Sequence, residues 1–140
     1  MTPAHGDPFH WPVRVYYEDT DAGGVVYYAN YLKFFERCRT EWLRALRVDQ
    51  ARLATQDGLQ FVVSELQCRY LRPARLDDEL RIESRVTDLA RCSLMFDQRA
   101  LRGGDLLAQA RVRIACVDVG SGRPVRLPAD LARRLGVALD

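Results

Sequence analysis

Between Asn30 and Arg47 the chain repeats apolar side chains every three or four residues: Tyr31, Phe34, Phe35, Cys38, Trp42 and Leu46. That period places them on one face of a helix. Leu32 and Leu43 widen the face beyond a single stripe, while Lys33, Arg37, Arg44 and Arg47 mark the wetter side. A helix this apolar needs cover over much of its circumference. Whatever the rest of the chain forms must wrap it.

The rest reads as strand. Val13 to Tyr17 predicts a short strand ahead of the helix, and a brief helical piece is expected at 50–55, before the Asp57-Gly58 turn. Beyond Gly58 the period falls to two. Val62, Ser64, Leu66, Cys68 and Tyr70 alternate with Glu65, Gln67 and Arg69, the pattern of a half-buried strand that Pro73 ends. Leu80, Ile82, Ser84 and Val86 alternate with Arg81, Glu83, Arg85 and Thr87. A third run, from Ser93 to Leu101, closes on Gly103-Gly104, a hairpin turn. Ala108, Ala110, Val112, Ile114 and Cys116 form the buried side of a fourth. Pro128 to Leu135 predicts a last short helix, since proline suits a first helical turn. One-sided alternation implies an antiparallel sheet with one wet face. The predicted class is α+β: a five-stranded antiparallel sheet curled around one long central helix. Residues 1–12 are expected to form an N-terminal arm and 13–140 a single domain.

A length of 140 residues, 48% of them hydrophobic, suits one compact core. A net charge of +2 gives no argument for nucleic acid. No run approaches the length of a membrane span. The opening residues MTPAHGDPFHWP lack the basic-then-apolar plan of a signal peptide, so a cytoplasmic location is expected. Cys38, Cys68, Cys92 and Cys116 are widely spaced with no CxxC pair, which points to reduced thiols and to neither a metal site nor a redox motif. The two histidines, His5 and His10, fall in the arm, and there is no GxSxG, HExxH, P-loop or GxGxxG. An enzyme built this way works without a histidine base and relies on carboxylates.

The carboxylates to consider stand in VYYEDTDAGGVVYYANY, at the entry to the helix. A helix N-terminus leaves about four N–H groups unpaired and carries roughly half a positive charge. Asp21 can cap that end or form an Asx turn, the commoner role on local sequence alone, or it can act on a bound electrophile. Gly23 and Gly24 allow a sharp turn that aims backbone amides at a ligand. Asp19 is expected to bond loop amides and Asn30 to fix the first turn. Tyr27, Tyr28 and Tyr31 read as core or pocket wall. Glu36 borders the apolar stripe within reach of Arg39 and Thr40, and reads as a surface or interface residue. Asp77-Asp78 reads as a turn.

With this order of elements, YEDTDAGGVVYYANY followed by FFERCRTEWLR resembles the acyl-CoA thioesterases of the hotdog fold. The likeness is to the YbgC-like (Tol-Pal-associated) branch and to 4-hydroxybenzoyl-CoA thioesterase. RPARLDDEL at 72–80 and CVDVGSGRPVRLP at 116–128 agree, so it spans Val13 to Leu135. The YbgC-like branch typically has histidine where this chain has Tyr28, and the 4-hydroxybenzoyl branch has tyrosine there but lacks the ERxRTE pattern.

The resemblance implies hydrolysis of a small or medium acyl-CoA, with Asp21 acting on the thioester carbonyl as nucleophile or as general base. A carboxylate's ordinary pKa, about 3.9, makes a weak base. The oxyanion donor implied is the backbone N–H of Tyr28 or a neighbour, a role indifferent to the side chain. Asp19, Gly24, Tyr27 and Asn30 complete the substrate side of the loop. The resemblance also points to Arg91, in the turn before Cys92-Ser93, and to Arg126, with Arg123, as contacts for the phosphates of coenzyme A. Cofactors expected are none, coenzyme A being part of the substrate. A curled sheet of this size leaves an edge open, and the resemblance implies a homo-oligomer, a dimer or a tetramer of hotdog dimers, with sites at the shared interface. The alternative is a non-catalytic acyl-CoA-binding or envelope-complex-associated hotdog module. A hotdog dehydratase would want a catalytic histidine in the domain.

Overall fold

The structure, a computed structural model, describes residues 8–135. The helix α1 spans Asn30–Ala45. Tyr31, Phe34, Phe35, Cys38 and Leu43 are buried, with Leu32, Trp42 and Leu46 packed partly buried beside them. Helix α1 stops two residues before the predicted Arg47, because Arg47 turns left-handed at φ 64° and a residue in that region cannot continue a helix.

Five strands wrap the helix: β1 Phe9–Arg14, β2 Leu59–Tyr70, β3 Glu79–Leu89, β4 Ser93–Arg102 and β5 Asp105–Asp118. Their spatial order is β1-β3-β4-β5-β2, and every pair is antiparallel. Between α1 and β2, a short α2 at Gln50–Arg52 runs into a wider helical turn, Leu53–Asp57, which Gly58 closes in the left-handed region. A four-residue helix α3, Leu131–Arg134, occupies the middle of the segment where Pro128 predicts one, and buries Leu131. The architecture is the α+β one read from the sequence.

Strands β3 and β5 keep the predicted phase: Leu80, Ile82, Ser84 and Val86 point inward, as do Ala108, Ala110, Val112, Ile114 and Cys116, and β4 turns Leu94, Phe96, Gln98 and Ala100 to the same side. Two polar side chains, Ser84 and Gln98, are completely buried among them. They are satisfied by a chain of bonds in which each group donates to the next. Arg39 Nη1 donates to Gln98 Oε1 (2.8 Å), Gln98 Nε2 to Ser84 Oγ (2.7 Å), Ser84 Oγ to Cys38 Sγ (3.1 Å), and the Cys38 thiol to the carbonyl of Ile82 (3.5 Å). Gln98 also donates to the carbonyl of Phe35 at 2.9 Å. A buried network with every member paired fixes one helix-to-sheet register, since any slip strands a polar group away from water. Burial, only partly offset by the Ser84 bond, pushes the Cys38 thiol up to about 11.

Two expectations need correction. The first strand begins at Phe9, inside the expected arm, because Trp11 pairs with Ile82, Val13 with Leu80, and Phe9 stacks on Trp42 at 5.7 Å. Pro12 is tolerated there because β1 is an edge strand, where a missing N–H costs no ladder bond. Residues 1–7 of the arm lie outside the described residues. The second correction concerns β2, which was expected to be half buried. It is mostly exposed, with Val63 at 52%, Leu66 at 41% and Tyr70 at 44%. It is the other edge, and α1 leans chiefly on β1, β3 and β4, so neither face of β2 is fully covered. A register shift between Val63 and Glu65 further breaks its alternation.

The sheet therefore has two ends. At one lie the start of α1, the end of β2 and the β4–β5 hairpin. At the other lie the β3–β4 turn, the end of β5 and the start of β2.

Candidate active site at the entry to α1

The loop from Tyr16 to Ala29 is held by its own backbone. A 3-10 turn at Tyr17–Asp19 bends the chain, and bridges Thr20–Val26 and Val25–Arg75 fold the loop back on itself and onto the segment after β2. Asp19 acts as the clasp. Its Oδ2 accepts the amide of Tyr16 at 2.8 Å, and its carbonyl accepts both the amide of Tyr27 and Asn30 Nδ2 at 2.9 Å. These bonds explain why an aspartate and an asparagine stand eleven residues apart: they tie the two ends of the loop to the first turn of α1.

Asp21 is exposed at the loop's tip. Its Oδ1 accepts the amide of Gly23 at 2.8 Å and that of Val25 at 3.5 Å, an Asx turn, while its own amide donates to the carbonyl of Val25 at 2.8 Å. One carboxylate oxygen is thus tethered, and Oδ2 has no hydrogen-bond partner among the described residues. The two glycines serve different ends. A Cβ on Gly23 would stand 3.2 Å from Asp21 Oδ1, so glycine there leaves room for the carboxylate. Gly24 adopts φ +80° with open space around it, so its requirement is conformational alone. Gly24→Ala is expected to lower the unfolding free energy by about 1–2 kcal/mol, the cost of left-handed backbone in an L-residue. A denaturant titration showing no change would mean that the loop relaxes freely.

Tyr28 precedes the helix; α1 begins at Asn30, where the sequence period places its start, with Ala29 as its unassisted N-cap. The amides of Asn30, Tyr31 and Leu32 donate to the carbonyls of Tyr27, Tyr28 and Ala29. The amides of Tyr28 and Ala29 find no backbone carbonyl among the described residues. Two unpaired N–H groups at a helix start, near an exposed carboxylate, are what a developing oxyanion requires.

Aromatic rings wall this end. Tyr28 packs on Tyr27 (4.8 Å between centroids) and edge-on to Tyr70 (5.9 Å), which in turn meets Tyr31 (5.5 Å). A bond to the Tyr28 phenol raises the pKa of Tyr27 above its ordinary value. Tyr31 is buried, and its hydroxyl oxygen accepts the amide of Ala74 at 3.0 Å, while Val26 donates to the carbonyl of Ala74 at 2.8 Å. The strut beneath is Asp78, no mere turn residue. Burial opposes its charge, but the Arg102 guanidinium at 2.8 Å and the Arg75 amide outweigh it and hold the carboxyl below its ordinary range. A depressed carboxyl stabilises the fold above the unfolded-state pKa and loses that contribution as pH falls through its folded value. Asp78→Asn is therefore expected to cost about 1–2 kcal/mol at neutral pH. Its melting temperature should converge with that of the wild type below pH 4; a constant gap would mean the charge is not what Asp78 supplies.

The expected coenzyme A contacts are not brought to Asp21 within one chain. Arg91 and Arg126 are exposed and adjoin each other, since Leu127 donates to the carbonyl of Arg91 at 3.0 Å. They and Arg123 lie at the opposite end of the sheet, separated by the length of β2 from Phe61 to Tyr70, about 30 Å. Glu36 bonds the Thr40 hydroxyl, whereas Arg39 turns inward to Gln98. Arg39, Gln98 and Tyr70 went unremarked as site residues in the sequence reading. For Arg39 a signal existed: it falls four residues after Phe35 and four before Leu43, on the apolar stripe.

Residues 15–135 match the family model described as the thioesterase-like superfamily. The acyl-CoA thioesterase YbgC of Haemophilus influenzae is 49% identical over 123 residues, covering 88% of this chain and 90% of that protein. The acyl-CoA thioester hydrolase YbgC of Escherichia coli is 47% identical over 124 residues, 88% of this chain and 92% of its own. Among solved structures, a probable thioesterase from Bartonella henselae superposes with a TM-score of 0.81 at 40% identity, over 85% of this chain and 98% of that one. With a sheet curled round one helix and a match over nearly its whole length, the chain belongs to the thioesterase-like superfamily and to its YbgC-like hotdog proteins.

Proposed function

We propose that the chain hydrolyses acyl-CoA thioesters of small or medium acyl groups at the entry to α1, with Asp21 as the reacting carboxylate. The observation that carries this reading is the pairing, within one loop, of a carboxylate that has one tethered oxygen with two amides, those of Tyr28 and Ala29, the second carboxylate oxygen and both amides having no partner among the described residues. The thioester oxygen sits on those amides. Oδ2 either attacks the carbonyl carbon, expelling the coenzyme A thiolate and leaving a mixed anhydride that water cleaves, or takes a proton from an attacking water. The tether favours attack, because it holds the carboxylate in one orientation with a lone pair facing out. The reaction as proposed consumes a thioester and water and calls on no cofactor.

The same reading makes the chain a homo-oligomer. Strand β2 is an edge of twelve residues, with Val63, Leu66 and Tyr70 uncovered, a template for a second copy. A two-fold antiparallel pairing of β2 with itself sets one copy's Tyr70 end beside the other's Leu59 end. The exposed Arg91 and Arg126 of the second copy then approach the Asp21 loop of the first, and the two halves of the site meet.

The test is free-thiol release from a panel of acyl-CoAs, with molecular mass measured by sedimentation. Turnover of one chain class by an oligomer supports the reading. Binding of coenzyme A esters without thiol release would make the chain a binding module instead.

A further inference from the structure

Two adjoining cavities run along α1 and share Glu36, Arg39 and Val63 as lining. The first, about 310 Å³, starts at Leu32, within the first turn of the helix, between Phe35, Leu66 and Val112. The second, about 150 Å³, continues it to Leu43, among Phe61, Leu94, Phe96 and Ile114. Together they make an apolar trough leading from the helix entry towards the helix end.

Lys33 lines the first cavity towards the entry and Thr40 and Gln50 line the second, but the only charged pair common to both is Arg39 and Glu36, where the cavities join. Arg39 is half-buried and spends Nη1 on Gln98, and no ion pair among the described residues includes it. The network through Gln98 and Ser84 fixes the head of Arg39 in place. Glu36, one turn earlier, accepts the Thr40 hydroxyl and keeps acceptor capacity to spare. An unbranched alkyl chain in the trough would take water from both charges and give nothing back. A carboxylate would suit Arg39 and be repelled by Glu36. A hydroxyl both accepts and donates, and so answers both groups at once.

We propose that the trough is the acyl subsite and that Arg39 and Glu36 select acyl groups bearing a hydroxyl at the end remote from the thioester. The proposal rests on hydrolysis at the entry to α1. Glu36 lies about 9 Å along the helix axis from Asn30, at 1.5 Å per residue, and the Tyr28 and Ala29 amides stand one short step beyond that. An extended chain of roughly ten carbons, with bonds of about 1.5 Å, covers that distance.

The experiment compares kcat/KM for decanoyl-CoA, 10-hydroxydecanoyl-CoA and the mono-CoA thioester of decanedioic acid, using wild type, Arg39→Gln and Glu36→Leu. The same three esters are titrated by calorimetry against Asp21→Asn. Wild type is expected to favour the hydroxy ester over decanoyl-CoA by about tenfold or more, from two charge-assisted bonds. Both variants should bring that ratio near one while keeping the wild-type mass. Equal turnover of the three esters overturns the proposal, as does a preference for the diacid or a preference that survives both variants. A variant that dissociates the assembly with selectivity intact assigns the trough to a second copy and also overturns it. If wild type releases thiol from none of them, the hydrolysis reading fails separately. The calorimetric ranking then decides the subsite alone, equal affinities counting against it.

Discussion

Asp21→Asn is expected to reduce thiol release by about 10²- to 10⁴-fold while leaving the folded assembly intact. The substitution separates two roles that the structure superimposes. Asp21 closes an Asx turn through Oδ1, which accepts the Gly23 amide at 2.8 Å, and an asparagine carbonyl oxygen can accept that bond unchanged. What asparagine cannot supply is the lone-pair-bearing Oδ2, replaced by an NH₂ that neither attacks a carbonyl nor takes a proton from water. Asp21→Ala removes both roles, and should add a stability cost of about 0.5–2 kcal/mol, the usual penalty for losing a capping side chain. Initial rates and melting temperatures of the two variants therefore form a matched pair. Near wild-type turnover in Asp21→Asn, with a destabilised Asp21→Ala, would reduce this residue to a turn-former and leave the loop without a reacting group.

How much of this could be read from the chain depended on whether local pattern and tertiary context agreed. Helix α1 was legible because six apolar positions at three- and four-residue steps have one geometric solution. Strands β3 to β5 were legible because both neighbours of each are strands and one face meets the core. At the edges local pattern misled. Strand β1 contains Pro12, which argues against a strand unless its N–H side faces nothing, and that is a fact about sheet order. Strand β2 alternates well enough to look half buried, yet its cover depends on where α1 lies. The loop showed the reverse case. Asp19, Asp21 and Asn30 announce a helix entry, but only the folded chain reveals that Asp19 clasps the loop while Asp21 keeps an oxygen free. Arg39 was hidden by its charge: an arginine on an apolar stripe reads as wet until Gln98, fifty-nine residues away, is seen to receive it.

The separation of Arg91 and Arg126 from Asp21 yields the second large effect, and it is a gain. Each of Asp21→Asn and the double variant Arg91→Ala/Arg126→Ala should be impaired by itself at sub-saturating acyl-CoA, the first in chemistry and the second in KM. If the site is shared across a two-fold pairing of β2, a mixed dimer holds one site that combines the intact Asp21 of one copy with the intact arginines of the other. Its second site carries both lesions. Random reassortment of equal amounts makes half the dimers mixed, so mixing should restore about a quarter of wild-type turnover from two nearly inactive preparations. A site contained in one chain predicts no recovery at all. Every intact Asp21 would still work beside its own damaged arginines, and every intact arginine pair would still serve a loop that has lost its carboxylate. The control is the same mixture after Gln67→Glu/Arg69→Glu has been placed in both chains. Those exposed side chains stand on the open edge and line neither cavity of the trough, and four carboxylates facing each other there should keep the copies apart. Recovery that vanishes with the edge would locate the shared site at β2. Recovery that persists would place the contact between copies on another surface, and the arginines would then have to reach Asp21 by a different route.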